Sequence, residues 1–224
     1  MTDEPRICLA SASPRRRELL MQLGIPHVVA PADIDESRRD GEAPADYVLR
    51  MAQQKAQRVA AEPARSRGLP VLGADTSVVL QGRVLGKPAD AAESRAMLAL
   101  LSGRTHEVWS AVTLLGAQGG ASRLSRTEVH FRRIDPAEAT AYWASGEPRD
   151  KAGGYAIQGR AAAFVAWISG SYSGVVGLPL HETAALLAQA GLAPWSGAPP
   201  DTGPLYGSAA VADFRAAASP RAGA

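Results

Sequence analysis

The sequence predicts a mixed α/β fold, on three observations. Short apolar runs of strand character alternate with stretches that open on helix caps and close on glycine. Two turn signals, Gln81-Gly82 and the glycine-rich 116–120, join strand to strand instead of strand to helix. At 224 residues, with 46% apolar and 21% charged residues, the chain has the size and composition to bury a core as one large domain or two small lobes.

Taken in order, Ile7–Ala10 is a short buried-type strand, and Ser13 with Pro14 opens a helix that carries Leu19, Leu20 and Leu23 and stops at Gly24. Residues 25–43 read as a second strand and a polar loop. A helix from about 45 to 61 follows, with Val48, Ala52, Lys55 and Val59 on one stripe. Val71–Leu80 is a strand of buried type that returns through Val84-Leu85. Asp90 with Glu93 opens the next helix as a capping box, and Gly103 closes it. Strands are predicted over 107–115 and 123–133. Asp135-Pro136 with Glu138 starts another helix, which ends near Gly146. The Gly-rich segment 151–159 leads into a strand over 162–168, and the last helix spans about 180–190. The folded unit is therefore expected over 5–192. From Ala193 to Ala224 the composition turns to Pro, Gly, Ala and Ser, which cannot bury enough surface to offset ordering; that tail is expected to be flexible.

Composition also narrows the function. A formal net charge of +2, with 5% aromatics, gives neither the basic face nor the stacking platform of a nucleic-acid binder. No apolar run reaches the roughly 18 residues of a membrane helix, and Asp3 and Glu4 precede the first strand, unlike a secretory signal. A cytoplasmic protein is the expectation. Cys8 is the only cysteine, so there is no disulfide framework, and the four histidines are scattered. Gly170–Gly174 centres on Tyr172 and is no serine nucleophile elbow.

Four features place charge where charge is expensive. Arg15, Arg16 and Arg17 crowd the first turn of a helix, whose free N–H groups and dipole favour an anion; solvated arginines on an exposed turn are the plainer alternative. Asp75 interrupts a strand built for burial, so it needs a cation or a metal unless it caps a loop at a strand end. Lys55 sits on the apolar stripe of its helix, where it either meets an anion or snorkels to water. Gly86-Lys87-Pro88 and Lys151-Ala-Gly-Gly-Tyr155 each set a lysine beside backbone-shaping residues, as phosphate loops do. Asp33, Asp35 and Glu36 form an acidic loop that is either surface or a source of metal ligands.

Together these segments resemble the Maf family: Leu9–Leu20, Gly73-Ala-Asp-Thr76, Leu85-Gly-Lys-Pro88, Asp150–Gly159, Gly170-Ser-Tyr172 and Val175–Pro179, in the family's order over about residues 7–190. The resemblance implies the fold of the inosine-triphosphate pyrophosphatases, an elongated mixed sheet flanked by helices with a cleft between two lobes. It also implies a homodimeric hydrolase that cleaves a nucleoside triphosphate to monophosphate and pyrophosphate with Mg²⁺ or Mn²⁺, a nucleotide-pool house-cleaning activity. One branch takes dTTP and UTP, with Thr after the key Asp and Gln before the last Gly of the 150s loop; Thr76 and Gln158 match it. The other branch, acting on 7-methyl-GTP, tends to carry Gln and Glu there. A non-catalytic regulator of septum formation is the remaining alternative. Carried over residue by residue, Asp75 would be metal ligand or base for the attacking water, with Glu36 at the same metal. Asp35 departs from the Glu that many members have, which leaves Glu36 as the match. Arg15, Arg16, Lys55 and Lys87 would neutralise the triphosphate, Ser11 would bond a phosphate, and Thr76 and Gln158 would read the pyrimidine edge. Arg17 varies in the family and is expected to be solvated.

Overall fold

In the computed structural model, which describes residues 4–117 and 119–193, seven strands form one mixed sheet in the order β2-β1-β3-β5-β6-β7, with β4 hanging from β3. Strand β1 (Ile7–Leu9) runs parallel to β2 (His27–Val29) and to β3 (Val71–Leu80). The hairpin strand β4 (Arg83–Leu85), then β5 (Thr105–Gly116), β6 (Gly119–Phe131) and β7 (Val165–Ser169) add antiparallel pairs. Helices α1 (Pro14–Gln22), α2 (Pro44–Ala60), α3 (Pro63–Ser66), α4 (Ala91–Leu101), α5 (Pro136–Ala144), α6 (Tyr172–Val176) and α7 (Leu180–Gln189) flank it.

The pleat of β3 sorts its residues between two faces. On one face, Leu72 and Ala74 join Ile7, Leu9, Leu20 and Leu187 in one apolar cluster. Val78 and Leu80 join Leu98, Leu101, Phe131 and Phe164 in another. Between Ala74 and Val78 on that face stands Thr76, paired in register with Ser110 of β5, so a polar seam separates the two clusters. On the opposite face α2 lies almost against the backbone of β3. A Cβ at Gly73 would stand 2.3 Å from the Ala52 carbonyl oxygen, so only glycine allows this approach.

One long strand has two different neighbours on the same edge. β1 pairs with Val71 and Leu72, and β4 pairs with Val78 to Leu80, while β5 occupies the other edge from Val71 to Val79. Between the two partners the edge of β3 at residues 73–77 pairs with no strand among the described residues. The sheet is notched there, at Asp75 and Thr76.

Local signals held at most helix starts. Ser13 Oγ accepts the Arg16 amide, and Asp135 and Glu138 form a full reciprocal capping box. At Asp90 the box is displaced: Asp90 Oδ1 accepts from the Glu93 amide, while Glu93 reaches the Ala89 amide instead of that of Asp90. The strand predicted over 162–168 begins only at Val165. Residues Arg160–Phe164 form a 3-10 turn because the Glu147 carboxylate accepts the amides of Arg160 and Ala161 and Phe164 turns into the core. The short helix α6 escapes the periodicity; it forms where Ser171 Oγ accepts the Gly174 amide. Nearly all of the Pro/Gly/Ala-rich tail, residues 194–224, lies outside the described residues.

Candidate active site

At the notch lies a cavity of about 810 Å³ lined from both faces of β3 and from the loops that carry Ser11, Glu36, Lys87 and Lys151. Ser11, Arg15, Arg16, Glu36, Lys55, Asp75, Thr76, Lys87 and Gln158, the nine positions given a role through the resemblance, all line it. Their distances in sequence make this a product of the fold.

Lys55 does not snorkel. The close packing of α2 on Gly73 brings its ammonium under the sheet, 2.8 Å from Asp75 Oδ1 and 2.6 Å from Glu36 Oε1. Lys55 and Asp75 are each only 7% exposed, so the strand carboxylate is paired by a buried cation. Glu36 comes from the loop before α2. Tyr47 holds that loop by donating its hydroxyl to the Glu36 carbonyl at 2.8 Å, and Arg50 donates to the Ser37 carbonyl at 3.0 Å. Of the acidic loop, Glu36 alone lines the cavity; Asp33 and Asp35 are exposed, and Asp35 accepts the Ser37 amide.

The two carboxylates are pushed in opposite directions. Burial raises the Asp75 carboxyl above its usual range, more strongly than the charges of Lys55 and Arg16 pull it down. Burial also opposes ionisation of Glu36, but the hydrogen bond and charge of Lys55, with Lys87 and Arg16, hold it below its usual range. Asp75 is thus the better proton acceptor, while Glu36 stays ionised. The Tyr47 hydroxyl, desolvated and facing both carboxylates, is pushed up to about 12.

Across the notch, Arg16 is aimed by the backbone. Its Nε donates to the Gly177 carbonyl at 2.7 Å, and its two Nη groups lie 3.4 Å from Ser11 Oγ and 3.5 Å from Thr76 Oγ1. Burial pushes its guanidinium pKa down, offset by Asp75. Arg15 lies beside it at the start of α1, whereas Arg17 is exposed and does not line the cavity.

The two lysine loops are stitched together: the Gly153 amide donates to the Gly86 carbonyl at 2.9 Å. Gly153 adopts φ +68°, and a Cβ there would meet the Val78 side chain at 2.9 Å, which makes glycine obligatory. Lys87, Asp150 and Lys151 line this side, with Gln158 exposed further along the same segment. Tyr47 and the Gly177 carbonyl went unnoticed in the sequence. The only hint of Tyr47 is an aromatic in the first turn of a helix that follows an acidic loop; for a backbone carbonyl there is none.

The arrangement, an α/β sheet notched at a carboxylate and faced by arginines and lysines, defines a protein that handles a polyanion. Comparison with known proteins agrees. The profile of the family described as "Maf-like protein" matches residues 6–190, and the chain belongs to that family. It is similar to the dTTP/UTP pyrophosphatase of Bordetella pertussis, 53% identical over 197 residues that cover 85% of this chain and 95% of the relative. It is also similar to those of Bordetella avium, 54% identical over 195 residues (84% and 97%), and Hahella chejuensis, 50% over 191 residues (85% and 95%).

Proposed function

We propose that this protein hydrolyses dTTP and UTP, together with modified pyrimidine nucleotides, to the monophosphate and pyrophosphate. The observation that carries this reading is the meeting of Arg15, Arg16, Lys55 and Lys87 with two carboxylates of opposed basicity in one cavity. Attack of water on the α-phosphorus needs positioning and charge neutralisation more than covalent help. Asp75, the more basic carboxylate, accepts the proton of the attacking water. The arginines and Lys87 hold the triphosphate and the charge that develops on the leaving pyrophosphate, and Ser11 bonds a phosphate oxygen. Thr76 and Gln158 read the base.

The oxygen donors of Glu36 and Asp75 suit Mg²⁺ or Mn²⁺, which commonly bind one or two carboxylates plus substrate phosphates. Among the described residues no three His, Cys, Asp or Glu side chains form a metal cage. An ion there would be completed by the substrate's own oxygens. Bound there, it would supply further neutralisation of the triphosphate. A homodimer and a cytoplasmic location belong to the same reading; no helix among the described residues is long and apolar enough to cross a membrane.

The test is pyrophosphate release from dTTP, UTP, 5-methyl-UTP and 7-methyl-GTP with each metal. The expected order puts dTTP and UTP far above 7-methyl-GTP. A preference for 7-methyl-GTP, or no release from any nucleotide, would overturn the reading. Sedimentation analysis tests the dimer.

A further inference from the structure

We propose that Ser110, hidden behind the cavity wall, fixes the polarity of the Thr76 hydroxyl, so that Thr76 accepts the N3–H of uracil or thymine and repels the N3 lone pair of cytosine. The proposal rests on the reading of Thr76 as a base-reading residue.

The hydroxyl protons of Ser110 and Thr76 can each be placed. Ser110 is 1% exposed and sits opposite Thr76 on β5. Its Oγ lies 2.6 Å from the Gly174 carbonyl oxygen. A carbonyl only accepts, so the single Ser110 proton lies in that bond. Thr76 Oγ1 is 2.9 Å from Ser110 Oγ, and the one way to place a proton between them is for Thr76 to donate. The Thr76 proton is then used as well. The Gly177 carbonyl at 3.4 Å is a much poorer alternative for it. What Thr76 turns toward the cavity is therefore lone pairs, and Arg16 Nη already approaches them as a donor at 3.5 Å.

Uracil and thymine carry a proton at N3 and cytosine carries a lone pair. A hydroxyl free to rotate serves either base, whereas one whose proton is held from behind serves only the imide. Ser110 never touches the substrate; it is a positioning residue that acts through Thr76. The anchor of the relay is Gly174 in α6, which ties discrimination to the seating of that short helix on β5.

The experiment compares the ratio of kcat/KM for UTP to that for CTP in the full-length protein and in Ser110→Ala, Ser110→Thr and Thr76→Val. A ratio taken on one preparation does not depend on the folded fraction. Ser110→Ala releases the Thr76 proton, and the ratio is expected to fall by about tenfold or more, mainly through better use of CTP. Ser110→Thr keeps the relay and should keep the ratio. An unchanged ratio in Ser110→Ala, with a collapsed one in Thr76→Val, would overturn the relay and leave Thr76 as base reader. Equal falls in Ser110→Ala and Ser110→Thr would overturn it too, because packing alone would then be at work. An unchanged ratio in Thr76→Val as well would sink the base-reading assignment and the relay with it.

Discussion

Replacing Lys55 with methionine keeps the length of the side chain and removes its charge, which isolates what the ammonium does. In the native site its Nζ touches both Glu36 at 2.6 Å and Asp75 at 2.8 Å, so the two carboxylate oxygens are at most about 5.4 Å apart. At an effective dielectric constant of about 20, two like charges at that separation repel by about 3 kcal/mol. The Glu36 side chain is 47% exposed, and water screens its share to about 1 kcal/mol. The larger loss is that of Asp75, a buried carboxylate stripped of its pair. Such losses run to about 3–5 kcal/mol, reduced here because Arg16 still faces Asp75. A net loss of about 2–3 kcal/mol at pH 8 is expected, a fall of about 1 M in the urea midpoint read by tryptophan fluorescence. Asp75 titrates above its ordinary range even in the native protein, and further above it without Lys55. The folded state then holds a proton that the unfolded chain has released, and stability falls as pH rises through that interval. The variant should accordingly lose little at pH 5 and most at pH 8, and adding Asp75→Asn should restore the midpoint at pH 8. Equal losses at both pH values, or no recovery in the double variant, would refute the assignment of Lys55 as the buried partner of Asp75.

Asp75→Asn alone removes the proton acceptor, and turnover should fall by about 10²–10³ or more with the protein still folded; full activity with Mg²⁺ or Mn²⁺ present would end its catalytic assignment. Gly73→Ala drives a Cβ into the α2 backbone at Ala52 and Ala56, so a loss of at least about 1–3 kcal/mol is expected in a thermal melt, with activity falling as Lys55 is displaced. An unchanged Tm would contradict the close packing of α2. His106 is buried, with Nε2 2.8 Å from the Tyr155 hydroxyl and Nδ1 without a partner among the described residues, and burial holds its pKa down at about 4. The unfolded chain therefore takes up a proton before the folded one. Stability should be full above pH 6.5 and drop by about 3 kcal/mol on the way down to pH 4. Urea midpoints of His106→Gln should lack that part of the slope; a slope identical to the native one would exclude His106 as its source.

The sequence by itself determined the pieces. Ser13-Pro14 and Asp135-Pro136 mark helix starts because caps act within a few residues, and Val71–Leu80 declares a buried strand through its own composition. Its one misplaced charge, Asp75, and the lysine on an apolar helix stripe were legible as anomalies for the same reason: each conflicts with its immediate neighbours. Six motifs in order carried the resemblance to the Maf family. Where the anomalies meet was settled only in three dimensions. Lys55 and Asp75 lie 20 positions apart, Thr76 and Ser110 lie 34 apart, and Arg16 and Gly177 lie 161 apart. Thr76 meets Ser110 through the pairing of β3 with β5, Lys55 meets Asp75 through the packing of α2 on Gly73, and Arg16 meets Gly177 where α1 faces the end of α6. Two partners, β1 and β4, cover only the ends of one edge and leave the notch in the middle, and strand pairing at that range leaves no local trace in the chain. The direction of a hydroxyl proton is more remote still. At Thr76 it follows from a carbonyl in α6 that no pattern around residue 76 foretells.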